Sequence, residues 1–299
     1  MYKELAIIAP TASGKTALSI ELAHELNAVI LSLDSLAVYK QIDIASAKPT
    51  VEERDGILHF GIDCINIDDS FDVIEFHKEY QKAKEYAIEN DKNLIIVGGT
   101  GFYLKSMIDG LSKSPTISEK TNIIVQNALK DLSSLYKTLL DLDETYIQKI
   151  ASNDKYRLQK AAEIYFETNM IPSEYFRLNK PNPLIDITKI KLFEILTDPN
   201  ILRERISKRT KIMLEDGLID EVISLEKQYT RMPNAMNSIG ISETFDYLDS
   251  KINKKELEEL IAIHTAQLAK RQRTFNKSQF QNVHKSDLLN MKKLILSTL

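Results

Sequence analysis

Short apolar runs alternate with amphipathic stretches in the first hundred residues of the chain. Residues 5–9, 28–33 and 94–97 are nearly continuous in apolar side chains, as expected for parallel strands that are covered on both faces. Apolar positions recur at helical spacing after the first run, and again over residues 73–89. This alternation of strands and helices predicts a doubly wound α/β sheet.

The middle of the chain has a different pattern. Residues 114–186 show helical periodicity without a convincing strand, and residues 189–196 then have the pattern of one more strand. Asp198-Pro199 supplies the N-cap and first-turn proline of a helix. We therefore predict a P-loop NTPase-like parallel-sheet core of residues 1–113 and 187–299. A helical insertion domain at 114–186 interrupts this core, and the C-terminal region is helical.

Composition narrows the class of protein. The 299 residues carry a formal net charge of −4, and 43% of them are hydrophobic, which is ordinary for a soluble globular protein. No apolar run approaches the ~20 residues of a membrane helix, and an early strand at Glu4 argues against a signal peptide. The one cysteine, Cys64, cannot form an intrachain disulfide. We expect a cytoplasmic protein that does not bind membranes.

Two basic clusters stand out against the mildly acidic balance. An acidic chain argues weakly against nucleic-acid binding, because that function usually leaves a basic surface. On charge alone, the clusters are more simply interpreted as solvated helix faces. They consist of Arg203, Arg205, Lys208, Arg209 and Lys211, and of Lys270, Arg271, Arg273 and Lys277.

The strongest chemical signal is a phosphate-binding loop at residues 9–16, which read APTASGKT. Backbone N–H groups and the start of the following helix favour an anion there. In this pattern Lys15 reaches the terminal phosphate oxygens and Thr16 ligates Mg²⁺. Ala9 replaces the first glycine of the pattern, which requires a negative φ. The loop predicts a phosphate site without naming a reaction.

Two further turns follow strands at the same predicted sheet edge, where ligands bind in such sheets. Asp34 follows the second strand and could hold Mg²⁺, act as a general base or cap a turn. Residues 98–103 read GGTGFY, and Thr100 could hydrogen-bond a substrate oxygen. The strand before this turn lacks the terminal aspartate of an ordinary ATPase.

Arg205 and Arg209 are one helical turn apart and so share one helix face. An arginine pair directed at the phosphate loop would neutralise the charge of a diphosphate. A surface pair beside Glu204 is an equally simple interpretation.

Together these stretches resemble the tRNA dimethylallyltransferase (isopentenyltransferase) family, in collinear order over nearly the whole chain. The phosphate loop is generic. Asp34-Ser35 followed by Tyr39-Lys40, and the stretch QLAKRQ at residues 267–272, are specific to this family.

The resemblance implies transfer of a dimethylallyl group from dimethylallyl diphosphate to N6 of adenine at tRNA position 37, 3′ of the anticodon. Asp34 is implied as general base, Arg209 as a counter-charge, and Thr100 as a neighbour of the adenine. The implied diphosphate ligands are Thr11, Ala12, Ser13, Gly14, Lys15 and Thr16, with Mg²⁺ on Thr16. The implied tRNA contacts are Asp34, Ser35, Leu36, Ala37, Thr100, Tyr156, Arg157, Lys160, Ser238, Gly240, Lys270 and Arg271.

The implied partner is the tRNA anticodon stem-loop, and we expect a monomer. Two other functions suit the same motifs. One is an ATP-binding small-molecule or nucleotide kinase, which the chain length and the basic C-terminal segments disfavour. The other is a nucleotide-gated RNA-binding switch that makes no product.

Overall fold

Six parallel strands form one sheet in the computed structural model, which describes residues 2–299. The strand order is β3–β2–β4–β1–β5–β6, and every neighbouring pair is parallel. The predicted α/β class is therefore confirmed. The strands are β1 (Glu4–Ile8), β2 (Ala28–Leu33), β3 (His59–Phe60), β4 (Asn93–Gly98), β5 (Lys191–Ile195) and β6 (His284–Ser286).

Thirteen α-helices and one 3₁₀ turn (Asn234–Asn237) account for most of the remaining described chain. No helix within residues 2–299 is long and apolar enough to cross a membrane. The helices are α1 (Lys15–Glu25), α2 (Val73–Glu89), α3 (Gly101–Asp109), α4 (Glu119–Ala128), α5 (Leu132–Leu142), α6 (Glu144–Ile147), α7 (Lys155–Thr168), α8 (Pro172–Leu178), α9 (Pro199–Glu215), α10 (Leu218–Tyr229), α11 (Ile241–Leu248), α12 (Lys254–Gln279) and α13 (Leu288–Thr298).

The four longer strands lie where the apolar runs predicted them, with ends that differ by one or two residues. The edge strands β3 and β6 were not predicted. They contain only two and three residues, and their sequences, HF and HKS, are not apolar runs. An edge strand has a neighbour on one side only, and such short segments carry little pattern from which to predict them.

Two clusters of buried apolar residues form the core of the sheet and the C-terminal helices. The first contains strand residues such as Ile7, Ile30 and Phe193, which are buried beneath α1 and α13. The second joins the chain after β2 to α10, α11 and α12. In it, Ile42 is fully buried against α10 residues that include Val222. Burial on both sides explains why the central strands are nearly continuous in apolar residues.

The chain divides into two compact units, of residues 2–108 with 185–299, and of residues 109–184. The second unit is helical and has its own core, in which Val125, Leu139 and Leu158 are fully or almost fully buried. Aspartate side chains cap α5, α6 and α7 at their N-termini. A role for this unit in gripping tRNA stays a prediction.

Asp198 caps α9, as its position before Pro199 predicted. The Asp198 side chain accepts hydrogen bonds from the backbone N–H groups of Asn200 at 2.8 Å and Ile201 at 3.4 Å. Asp198→Ala should lower the free energy of unfolding by about 1 kcal/mol, because two N–H groups at the helix start lose their acceptor. Asp198→Ser restores an acceptor and should recover most of the loss. Urea unfolding measures both changes, and an unchanged midpoint for the alanine variant would contradict the role of the cap.

Candidate active site

The parallel register of the central strands brings three loops to one edge of the sheet. Gly98 pairs with Ile8 on one side and with Leu33 on the other. The phosphate loop, Asp34 and the glycine-rich turn at residues 98–103 follow these three positions directly. They therefore share the edge at which ligands bind in sheets of this type.

The phosphate loop at residues 9–16 bends through two left-handed residues. Ala12 has a φ of 61° and Gly14 has a φ of 90°. Such a bend turns successive N–H groups toward one point and makes a concavity that binds anions. Ala9 has a negative φ, so an alanine fits in place of the first glycine without backbone strain.

Lys15 begins α1 and lines a pocket at this edge together with Thr16 and Asp34. Its Nζ donates a hydrogen bond to the carbonyl oxygen of Pro10 at 3.3 Å. Burial lowers the pKa of Lys15 to about 8, a shift that the Asp34 carboxylate opposes and the Arg209 guanidinium reinforces. An anion that enters the pocket would stabilise the protonated form of this lysine.

Asp34 also lines the pocket, immediately after β2. Its Oδ1 accepts hydrogen bonds from the N–H groups of Leu36 at 2.8 Å and Ala37 at 3.1 Å. The carboxylate therefore closes a local turn, as one interpretation of the sequence held, and at the same time faces the pocket. Two fixed donors orient it, and a general base needs such an orientation.

Helix α9 directs two arginines at the phosphate loop. Arg209 lines the pocket and donates hydrogen bonds to Thr11 Oγ1 at 3.2 Å and to the carbonyl oxygen of Ala47 at 3.1 Å. Arg205 donates to the carbonyl oxygen of Ser13 at 3.1 Å. Burial lowers the pKa of Arg209, but a guanidinium stays charged at neutral pH. Arg209 is therefore more than a surface residue, whereas Arg205 is exposed and contacts the loop through a backbone carbonyl.

Gln272 on α12 contacts the same loop, a role that no sequence pattern assigned. Its Oε1 accepts a hydrogen bond from the N–H of Thr11 at 2.9 Å. A Cβ placed on Gly99 would lie 2.4 Å from Gln272 Nε2, and a Cβ on Gly101 would lie 2.6 Å from Asn276 Oδ1. A side chain at either position would therefore displace the end of a polar side chain on α12. The only sequence signal for this contact is the QLAKRQ stretch that ends at Gln272.

Lys48 also lines the pocket and was missed as a site residue. Only 5% of its side chain is exposed, and its Nζ pairs with Asp43 at 2.6 Å and Asp63 at 2.5 Å. Arg54 pairs with Asp63 as well, at 2.9 Å. Burial alone would raise the pKa of Asp63, but the hydrogen bonds from Lys48 and Arg54 outweigh it and lower the pKa. These ion pairs hold the Lys48 side chain in place at the pocket.

Comparison with known proteins decides the family. A family model described as IPP transferase matches residues 37–279. The tRNA dimethylallyltransferase of Aliarcobacter butzleri is 57% identical over 281 residues, which cover 94% of this chain and 93% of that protein. The tRNA dimethylallyltransferase of Sulfurovum sp. is 52% identical over 294 residues, covering 98% and 97%. The chain belongs to the IPP transferase family.

Solved structures of similar chains agree with this membership. A tRNA isopentenylpyrophosphate transferase from Staphylococcus epidermidis is 33% identical, with a TM-score of 0.69 and coverage of 99% of this chain and 98% of that chain. A eukaryotic dimethylallyltransferase, described as acting on tRNA, is 26% identical with a TM-score of 0.84, covering 99% and 77%. The family resemblance drawn from the sequence is confirmed, and so is the P-loop-like α/β fold.

Some of the predicted tRNA contacts of this IPP transferase family member lie close to the pocket. Ser35 is exposed beside Asp34, whereas Ala37 is buried and lines the pocket. Thr100 is half-buried in the glycine-rich turn. Gly240 precedes α11 and has a φ of 94°. A Cβ added to this glycine would lie 3.7 Å from the Cβ of Ala45. The structure brings Asp34, Ser35, Ala37 and Thr100 to one sheet edge.

Leu36 and Ser238, which were also predicted to contact tRNA, are half-buried, and the Ser238 hydroxyl is buried. The other predicted tRNA contacts are exposed side chains on two helices. Lys270 and Arg271 are exposed on α12 of the sheet-containing unit. Tyr156, Arg157 and Lys160 are exposed on α7 of the helical unit. Exposure of this kind is required of a residue that contacts an RNA phosphate.

The lowered pKa of Lys15 predicts how anion binding depends on pH. As the pH rises through 8, Lys15 in the free site loses its proton, whereas a bound anion favours the protonated form. Affinity for inorganic pyrophosphate should then fall by roughly tenfold per pH unit above about 8.5. Lys15→Arg stays charged throughout and should lose this part of the pH dependence.

Calorimetric titration of both proteins with pyrophosphate and Mg²⁺, from about pH 7 to about pH 9.5, measures the difference. Titration of pyrophosphate itself is common to the two proteins, so the difference in slope isolates Lys15. Equal slopes would contradict the assignment.

Proposed function

We propose that this chain transfers the dimethylallyl group of dimethylallyl diphosphate to N6 of the adenine at position 37 of tRNA and releases pyrophosphate. The observation that carries the proposal is one pocket lined by the phosphate-loop residues Lys15 and Thr16, by Arg209 and by Asp34. Membership of the IPP transferase family and the names of its similar members support this reaction.

The cationic side of the pocket suits a diphosphate leaving group. An allylic diphosphate ionises readily because its carbocation is delocalised, so the protein must chiefly stabilise the pyrophosphate that departs. Lys15 and Arg209 supply two positive charges to the pocket. We propose that the left-handed bend at Ala12 turns backbone N–H groups toward the same anion. Charges fixed in advance stabilise the transition state more than mobile ones, because they need no reorganisation.

Asp34 suits the opposite task, which is to accept a proton from the adenine amino group as the new carbon–nitrogen bond forms. The two N–H donors on Oδ1 hold the carboxylate at the mouth of the diphosphate site. Thr100 lies at the same sheet edge, and we propose that it contacts the adenine. The adenine must leave its stack to reach this edge, so the base is expected to flip out of the anticodon loop.

The oxygen donors in the pocket fit Mg²⁺. Thr16 is exposed at the start of α1, and Asp34 lies in the same pocket. Within residues 2–299, no three or more histidine, cysteine, aspartate or glutamate side chains form a group that could hold a metal ion by themselves. Mg²⁺ usually binds one or two protein oxygens together with substrate phosphates and water, and such a donor set suffices. When bound, the ion would neutralise part of the diphosphate charge.

The exposed basic residues on α7 and α12 are proposed to hold the anticodon stem-loop through its phosphates, with the helical unit of residues 109–184 gripping the RNA. Protein contacts to RNA of this kind rely on phosphates, shape and unstacked bases. We further propose that the protein acts as a monomer in the cytoplasm.

The reaction is tested by incubating the purified protein and Mg²⁺ with radiolabelled dimethylallyl diphosphate and unmodified tRNA. Label should appear on the adenine 3′ of the anticodon, with release of one pyrophosphate for each label. ATP consumption without labelled RNA would instead support a kinase, and the proposed function would be rejected.

Asp34→Asn should lower the turnover number roughly 10²- to 10⁴-fold, because the amide cannot accept the adenine proton. Pyrophosphate affinity measured without Mg²⁺ should not fall, since Asn retains the oxygen that the turn requires and the substitution removes a negative charge beside the anion. Asp72→Asn is the matched control, because it removes the charge of an N-cap on α2 outside the pocket. Near-normal transfer by folded Asp34→Asn would exclude the general base.

The proposed RNA contact of α12 is tested by a paired substitution, Lys270→Ala with Arg271→Ala. The KM for tRNA should rise, and the salt dependence of tRNA binding should weaken by about one to two units in slope. Lys254→Ala with Lys255→Ala removes two exposed charges from the other end of α12 and is the control. Equal effects from the two pairs would show that the contact is non-specific.

A further inference from the structure

A carboxylate outside the pocket receives three successive backbone N–H groups. Glu221 on α10 accepts from the N–H of Asp43 at 2.9 Å and of Ile44 at 2.7 Å through Oε2, and from Ala45 at 2.9 Å through Oε1. Three converging N–H groups form a concavity that binds anions, and hydrogen bonds to a charged acceptor are the stronger kind. Glu221 therefore fixes residues 43–45 to the first turn of α10.

The segment that Glu221 holds leads directly into the pocket. Ala47, Lys48 and Pro49 all line it. The carbonyl oxygen of Ala47 accepts a hydrogen bond from Arg209 Nη2, while Nη1 of the same guanidinium donates to Thr11. The guanidinium thus lies between two acceptors, one on the phosphate loop and one on the segment that Glu221 holds.

The Ala47 acceptor is a backbone atom, so its position depends on how the segment is tied down. Two of its neighbours in sequence, Ile44 and Ala45, are hydrogen-bonded to Glu221. If the segment moved, the carbonyl oxygen would leave Arg209, and the guanidinium could turn away from the diphosphate. A misplacement of about 1 Å is enough to cost a large factor in rate or affinity.

We propose that Glu221 is a positioning residue for the diphosphate site. It holds residues 43–45, keeps the Ala47 carbonyl against Arg209, and so keeps the guanidinium directed at the diphosphate. The inference rests on the proposed function for the identity of the ligand, but it can be tested with inorganic pyrophosphate alone.

The variant Glu221→Gln is expected to fold. Glu221 is half-buried. The segment that it holds also packs against α10 through apolar contacts, and the substitution leaves these in place. Ile42 and Ala45 belong to one buried cluster with Leu218 and Val222 of α10. The amide keeps one acceptor oxygen but loses the charge, and its NH₂ group cannot accept a backbone N–H.

Pyrophosphate affinity, measured by calorimetry with Mg²⁺, should fall roughly tenfold in Glu221→Gln. Asp220→Asn is the matched control, because both residues are acidic and lie in the first turn of α10. The two substitutions therefore remove the same favourable interaction with the helix dipole. Of these two acidic residues, Glu221 is the one that hydrogen-bonds residues 43–45, so Asp220→Asn should bind within about twofold of the wild type. Equal losses in both variants would overturn the proposal.

A double-mutant cycle separates positioning from a general structural role. If Glu221 acts through Arg209, then Glu221→Gln should cost no more than about a further twofold in an Arg209→Gln background. Losses that multiply in full would show that Glu221 acts independently of Arg209, and the proposal would fail. A purely structural role would appear in the unfolding midpoint and would not depend on the residue at position 209.

Hydrogen exchange on the wild-type protein gives a test that needs no variant. Coupling between two sites is reciprocal, so a pyrophosphate that is favoured by the ordered segment must itself order the segment. Exchange of the amides of residues 43–45 should slow several-fold when pyrophosphate binds. Bound pyrophosphate with unchanged exchange there would refute the positioning role. A wild-type protein that does not bind pyrophosphate would instead reject the proposed function.

Discussion

Two partly buried cations beside the Asp34 carboxylate are the constraint on which the site depends. Lys15 and Arg209 repel each other in a pocket where Asp34 is the nearby opposing charge, and burial lowers the pKa of both cations. Holding such charges without a ligand costs free energy, because they are neither fully hydrated nor fully paired. The surrounding hydrogen bonds to Pro10 and Thr11 keep the cations in place. An entering diphosphate relieves the repulsion, so the unfavourable charge arrangement becomes binding selectivity for an anion.

The glycine-rich turn after β4 supports this arrangement indirectly. Its first glycine, Gly98, lies against the backbone of Leu33, where a Cβ would be 2.4 Å from the carbonyl oxygen. The next, Gly99, makes room for Gln272, whose Oε1 holds the N–H of Thr11. The turn therefore allows a C-terminal helix to reach the phosphate loop. Gly98 looked like a ligand contact in the sequence, but it is required by packing between two protein segments.

The sequence predicted those parts of the site whose geometry is local. The phosphate loop and Asp34 each follow an apolar strand, and Arg209 follows a clear helix start, so contiguous residues encode their positions. Gln272 and Glu221 are different, because their partners lie 261 and 176–178 residues away along the chain. Nothing in the neighbouring residues distinguishes such a glutamate from a solvated one on a helix surface. The short edge strands were missed for a related reason, since they carry no periodic pattern.

The pocket residues come from both sides of the helical unit, so this unit can interrupt the chain without contributing to the pocket. The pocket takes Lys15 and Asp34 from before residues 109–184 and Arg209 from after them, and all three lie in the unit that contains the sheet. The site therefore forms only when both flanking segments fold together. The free-energy cost of closing the intervening loop, which is entropic, grows by only about 0.6 kcal/mol for each doubling of loop length. An inserted unit is thus inexpensive in free energy, and it can change in length or surface charge while the diphosphate pocket stays the same.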